Sequence, residues 1–138
     1  MIRRLRTLLT AGAIYYFVRN YGFQIVPVRA PGMEPLLRAR DWLVIDRFSR
    51  SLHPLRRNDV VLLWCPSEPS RTEIRRVSAL AGDRMPIPPG VVPRGYVFVL
   101  ADHEQDSQDS REWGPVPERY VLGRVALRFW PPDRLEFF

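Results

Sequence analysis

Proline interrupts this chain fourteen times and glycine eight times in 138 residues. A proline inside a helix removes a hydrogen bond and clashes with the preceding turn. Punctuation this dense excludes a helical bundle and leaves many short strands joined by turns. Apolar residues make up 46% of the chain and aromatics 12%, which is enough for a packed core. The length suits one domain with a short appendage.

Residues 1–27 form that appendage. Arg3, Arg4 and Arg6 precede an apolar run from Leu8 to Val18, then Arg19 and Asn20 follow, and the first acidic residue is Glu34. The apolar core is shorter than the roughly 18 residues expected of a bilayer span. Extending the helix past Arg19 to Val26, with Arg19 snorkelling or paired, supplies the length. The expectation is therefore a basic, hydrophobic transmembrane or membrane-lying anchor helix. An Arg-rich, acid-free end also fits a cleaved targeting peptide, and a helix packed on a partner protein fits the same residues.

Residues 28–138 read as the β domain. Trp42–Phe48, the continuously apolar Asp59–Trp64, Thr72–Leu80, Tyr96–Leu100 and Val121–Trp130 are strand candidates. The Asp59–Trp64 run predicts a strand buried on both faces. Ser49–Asn58 and Pro66–Ser70 read as loop and turn, Gly82-Asp83 turns the chain, and the proline-rich Met85–Pro93 stretch hugs the surface. The fold class is mostly β, an antiparallel domain behind an N-terminal hydrophobic helix.

The net charge is +6 and every one of the 21 basic residues is arginine. Such a surface suits anionic lipid, RNA or an acidic protein. No interleaved aromatic and basic patch is long enough for a nucleic-acid platform, so nucleic acid is the less favoured partner. The single cysteine, Cys65, excludes an intrachain disulfide and any multi-cysteine metal site. It follows Trp64 in an apolar run and reads as a buried small hydrophobe. No metal or cofactor is implied.

Several segments share one further pattern: Gly32-Met33-Glu34-Pro35, Arg56-Arg57-Asn58-Asp59-Val60-Val61, Ile74 to Asp83 (with Arg75, Arg76, Gly82 and Asp83), Leu100 to Arg111 (with Asp102, Asp109, Ser110 and Arg111), and Gly123-Arg124-Val125. In order and spacing they resemble the motifs of the signal peptidase I family, most closely its mitochondrial inner-membrane peptidase subunits. The family's serine motif reads S-M-x-P, and its base segment reads K-R-V-I-G-L-P-G-D. The resemblance implies the family's β fold, with an amino-terminal membrane segment ahead of the serine motif.

The departures fall where the family does its chemistry. Gly32 stands at the nucleophile's position and Arg75 at that of the lysine base. A Ser–Lys dyad works because a desolvated lysine can lose its proton and accept one from the hydroxyl. A guanidinium stays protonated at any working pH, and the chain has no lysine to substitute. His53 and His103 are the only histidines, and neither aligns with the base. Asp102, Asp109, Ser110 and Arg111 match residues that brace the family's site, so they read as a structural ion-pair network. Whether Arg75 pairs with Asp102 or with Asp109 stays open. Deleting the serine side chain makes room that an arginine can fill.

The resemblance therefore implies a pseudo-peptidase, a structural or accessory subunit of a larger membrane-associated complex. Its partners would be protein subunits and, through residues 1–27, the membrane, with peptide binding left open. A subunit of an inner-membrane signal peptidase whose dyad comes from a paralogous partner is the alternative. A basic accessory protein of an organellar ribosome is a second alternative. The expected location is the mitochondrial inner membrane, with the β domain facing the intermembrane space; the alternative is a bacterial plasma membrane.

Overall fold

The computed structural model describes residues 2–18, 22–105 and 107–138, and side chains from residue 4 onward. Helix α1 spans Ile2–Phe17. Its apolar side chains, among them Leu8, Ile14 and Tyr16, are exposed. Sixteen residues of helix reach only about 24 Å at 1.5 Å each, short of a roughly 30 Å hydrocarbon core. No helix among the described residues is long and apolar enough to cross a membrane. That corrects the expected transmembrane helix. Its proposed extension to Val26 is corrected too, because Phe23–Pro27 is strand β1; Arg19, on which the extension turned, lies outside the described residues.

Strand β1 pairs antiparallel with β2, Trp42–Asp46. The main sheet then runs through β9 (Val121–Trp130), β3 (Val60–Cys65), β4 (Glu68–Ala79) and β7 (Tyr96–Leu100) to β8 (Val116–Pro117). A C-terminal pair of residues, β10 (Glu136–Phe137), joins β9 at Arg128 and Leu127, on the edge opposite β2. Strands β5 (Arg84–Met85) and β6 (Gly90–Val91) form a separate hairpin where the sequence predicted only a surface-hugging stretch.

Strand β3 shows why the sheet curls around two cores. Val60 and Leu62 enter one buried cluster with Val28, Met33, Leu43 and Ile45. Val61 and Leu63, on the opposite face, enter another with Val77, Val97, Val99 and Val121. Side chains alternate along a strand, so a run apolar at every position must be covered on both sides. Cys65 closes the strand, buried as expected.

Two local features depart from the sequence reading for a capping reason. Phe48–Leu52, read partly as strand and partly as loop, forms the short helix α2. The Asp46 carboxylate accepts from the N–H groups of Phe48 and Ser49 at 3.0 and 2.9 Å, which satisfies donors a helix start leaves open. Ser110–Trp113 is likewise a one-turn helix, α3, capped by Asp109. Asn58 sits at φ 72°. That left-handed conformation is one that asparagine tolerates better than most residues.

Candidate functional site

Pro31–Met33 forms a single 3-10 turn, fixed from three sides. Met33 plugs into the core and is 2% exposed, and Leu37 is fully buried in the same cluster. The Gly32 carbonyl accepts from the His103 backbone N–H at 3.0 Å, tying the turn to the third motif. Pro35 is exposed. Beyond it, the Leu36 carbonyl accepts from the Arg128 and Arg134 guanidiniums. Arg134 also grips the buried Asp41 carboxylate at 2.9 and 3.1 Å. A buried carbonyl and carboxylate both need donors, and these two arginines supply them from the far end of the chain.

Arg75 lies across Gly32. Strand β4 turns it inward, and its side chain is only 5% exposed. Nε and Nη2 donate to the Gln108 carbonyl at 2.8 and 2.6 Å; Nη1 donates to Glu73 Oε2 at 3.1 Å and to the Ile74 carbonyl at 2.6 Å. The guanidinium also stands 5.7 Å from the Trp113 ring centroid, within cation–π range. Burial lowers its pKa, while the Glu73 charge and hydrogen bond, and the Asp109 charge, pull the other way. Arginine starts so high that it remains a cation. A Cβ placed on Gly32 would stand 3.0 Å from Arg75 Nη1, 3.5 Å from its Cζ and 3.1 Å from Ser107 Oγ. The guanidinium thus crowds the point where a side chain at residue 32 would begin.

Arg75 pairs with neither aspartate weighed for it. Its carboxylate is the buried Glu73, which also takes Arg71 Nε at 2.6 Å. Asp102 receives a two-pronged contact from Arg76 at 2.9 and 2.7 Å. That hydrogen bond raises the Arg76 pKa against burial. Asp109 is 1% exposed and accepts from the Ala101 N–H at 2.9 Å, the Arg111 N–H at 2.9 Å, and Arg111 Nε and Nη2 at 3.0 and 2.5 Å. Burial works against its charge, but the hydrogen bonds from Arg111 and Ala101 outweigh it and hold the pKa below the usual carboxylate range. Ser110 Oγ, fully buried, accepts from the Val99 N–H at 2.9 Å. These four residues knit the loop after β7 to the sheet.

Gly82 and Asp83 belong to another turn. Gly82 donates to the Val92 carbonyl at 2.9 Å, and Asp83 caps the Leu80 N–H and pairs with Arg57 at 2.6 Å. The Arg57 hydrogen bond, with the Leu80 N–H, lowers the Asp83 pKa to about 2. His53 ends α2 at the surface.

The Gly32 turn and Arg75 share an open cleft of ≈ 700 Å³ between β1 and the first half of β4. Each strand offers a side there that no neighbour in the sheet uses: β1 ends the strand order, and β7 joins β4 only from Arg76 onward. Ile25, Val26, Val28, Met33, Leu62 and Ile74 supply the apolar lining, and Arg29, Arg71 and Arg75 face Glu68 and Glu73. Two facing unpaired edges with an apolar lining can take up an extended chain by strand addition.

Part of this was legible in the motifs, since Gly32 and Arg75 do meet and the Asp109 charge acts on Arg75. Glu73 was missed, although the alternation Arg71, Glu73, Arg75 along a strand puts all three on one face. Nothing in the sequence signals the Gln108 carbonyl, because backbone acceptors carry no residue signature.

An antiparallel β domain in which this turn and this inward arginine line one cleft, and in which the third motif carries a carboxylate network, has the parts of a signal-peptidase-type protein. The chain belongs to the signal peptidase family, peptidase S26, whose family model matches residues 1–90 and 85–130. It is similar to mitochondrial inner membrane protease subunit 1 of Xenopus tropicalis, with 34% identity over 128 residues, covering 87% of this chain and 77% of that protein. Mitochondrial inner membrane protease subunit 2 of Saccharomyces cerevisiae is 29% identical over 130 residues, covering 85% and 73%. Signal peptidase I of Leptolyngbya laminosa is 28% identical over 151 residues, covering 86% and 74%.

Proposed function

We propose that this chain is a catalytically inactive member of the peptidase S26 family, serving as a structural or accessory subunit of a larger membrane-associated complex. The observation that carries the reading is the buried Arg75 guanidinium pressed against Gly32. At the two positions where the family's dyad is expected, one residue has no side chain and the other holds a permanent cation. No proton acceptor stands there to activate a hydroxyl. The bracing residues Asp102, Asp109, Ser110 and Arg111 are fully engaged in holding loops, which supports keeping the scaffold without the chemistry. Relatives that are subunits of an inner membrane protease support the complex, and with it the mitochondrial inner membrane; a β domain facing the intermembrane space is part of the proposal.

The open cleft favours a second reading, in which this chain helps select substrate while a paralogous partner supplies the dyad. Purification from a mild-detergent extract with mass spectrometry of what accompanies the chain separates the two. A complex without an active S26 peptidase supports the accessory role, and a stoichiometric active paralogue supports the shared-substrate role. A chain that purifies alone and cleaves peptides overturns both.

A further inference from the structure

We infer that the β5–β6 hairpin is the surface by which this chain docks on another protein of its complex, one that offers an apolar pocket with carboxylates at its rim. The inference rests on the accessory-subunit reading and names the contact that reading needs.

Residues 85–93 carry no charge, and after Asp83 no acidic residue occurs until Asp102. Strands β5 and β6 pair Arg84 with Val91 and Met85 with Gly90, so residues 86–89 form the hairpin's tip. All four are exposed; Ile87 is 56% exposed, and Val91 beside the tip 57%. Single apolar side chains at a surface need no explanation. These stand together, on a base that is fixed. Val92 is 1% exposed and clusters with Ala79 and Phe98, and Met85 packs against the same cluster. The Gly82 N–H donates to the Val92 carbonyl and the Val92 N–H to the Asp83 carbonyl, both at 2.9 Å. Pro86, Pro88 and Pro89 fix φ within the tip. A tip held this way has little further entropy to lose when it binds. Beside it, Ala81, Gly82, Val91, Val92, Pro93 and Arg94 line a shallow hollow of ≈ 590 Å³. An apolar knob next to a hollow matches the interdigitating core of a protein interface.

Charge selects the partner. Arg84 and Arg94 flank the tip, are exposed, and make no ion pair among the described residues. The neighbouring carboxylate, Asp83, is already taken by Arg57 at 2.6 Å. A partner's rim of Asp or Glu complements this pair of free cations. A second copy of the chain would set the arginines against their own kind. An anionic bilayer has the right sign but the wrong place. Strands β4 and β7, which carry Ala79 and Phe98 under the hairpin, stand four and five places from β1 in the sheet, and β1 is the strand that follows α1.

The test uses the full chain purified with its complex from a mild-detergent extract. Benzoylphenylalanine in place of Ile87 should cross-link to one other subunit, in an apolar segment that also holds Asp or Glu. Ile87→Asp should lower recovery of that subunit about tenfold, the size expected of a central interface contact. Arg84→Glu combined with Arg94→Glu should lower it as well, most at low salt. Both sites are exposed, so both variants should melt with the parent. Recovery unchanged in both variants, or a cross-link to a second copy of this chain, overturns the hairpin reading and leaves the inactive-subunit reading intact. So does binding of the hairpin to phosphatidylcholine vesicles containing phosphatidylglycerol, if Ile87→Asp removes it. Peptide cleavage by the chain while the cross-link is kept overturns the inactive-subunit reading alone. A chain that purifies without partners overturns both.

Discussion

At the scale of single residues, the Asp109–Arg111 pair separates structural from inherited roles. Asp109 is buried and answers two backbone N–H groups besides Arg111, while Arg111 keeps a quarter of its side chain in solvent and also reaches Glu104. The two truncations should therefore differ. Asp109→Ala strands buried donors and should cost about 3 kcal/mol. Arg111→Ala leaves a carboxylate with backbone partners and should cost roughly 1 kcal/mol after allowance for exposure. Thermal unfolding of both variants beside the parent checks the asymmetry, and equal losses would contradict it. The same carboxylate sets an acid limb. Its pKa is depressed in the folded chain, so its contribution is complete above the unfolded value near ~4 and disappears as pH falls through the folded one. Asp109→Ala should reduce the loss of stability below about pH 4 relative to the parent, leaving the acid limb to which Asp83 contributes. The Arg75–Glu73 pairing shows what residue types alone leave open: Asp102 and Asp109 were the partners weighed, and the strand's alternation, which puts Glu73 on the same face, points to neither.

At the scale of elements, the strand runs Val60–Cys65, Tyr96–Leu100 and Val121–Trp130 matched their predicted extents closely because continuous apolar or β-branched stretches leave few alternatives. Strands β1, β8 and β10 escaped notice for a physical reason. They are short, hold proline or lie at an edge, and owe their conformation to a neighbour rather than to their own pattern. Strand β9 is the element on which the others converge, since it pairs with β2, β3 and β10. Its Gly123 permits the close crossing over β2: a Cβ there would meet the Asp46 carbonyl oxygen at 2.6 Å and Ile45 Cγ2 at 2.8 Å. Backbone cannot yield as a side-chain tip can, so Gly123→Ala should lower stability by about 2–3 kcal/mol. A denaturant midpoint unchanged from the parent would show that the sheet can open there without penalty.

At the scale of the whole molecule, helix α1 and the β domain separate cleanly in burial, with α1 exposed along its described length. The boundary that matters for stability lies ahead of β1, because β1 pairs along its full length with β2. A chain beginning at Gly22 should fold and melt near the parent temperature yet leave the membrane fraction, whereas one beginning at Val28 should melt lower. Retention of the shorter chains in the membrane fraction would assign anchoring to the β domain. The central claim is the absence of peptidase chemistry, and one measurement meets it directly. Purified parent chain, Gly32→Ser, and Gly32→Ser combined with Arg75→Lys are incubated with a presequence-type peptide, and turnover is followed by mass spectrometry. Neither the parent nor Gly32→Ser should cleave above buffer, because a guanidinium cannot take the hydroxyl proton, and only the double variant has both parts of a dyad. Turnover by the parent, lost on denaturation, or by the single variant would show that another group serves as base and would contradict the account.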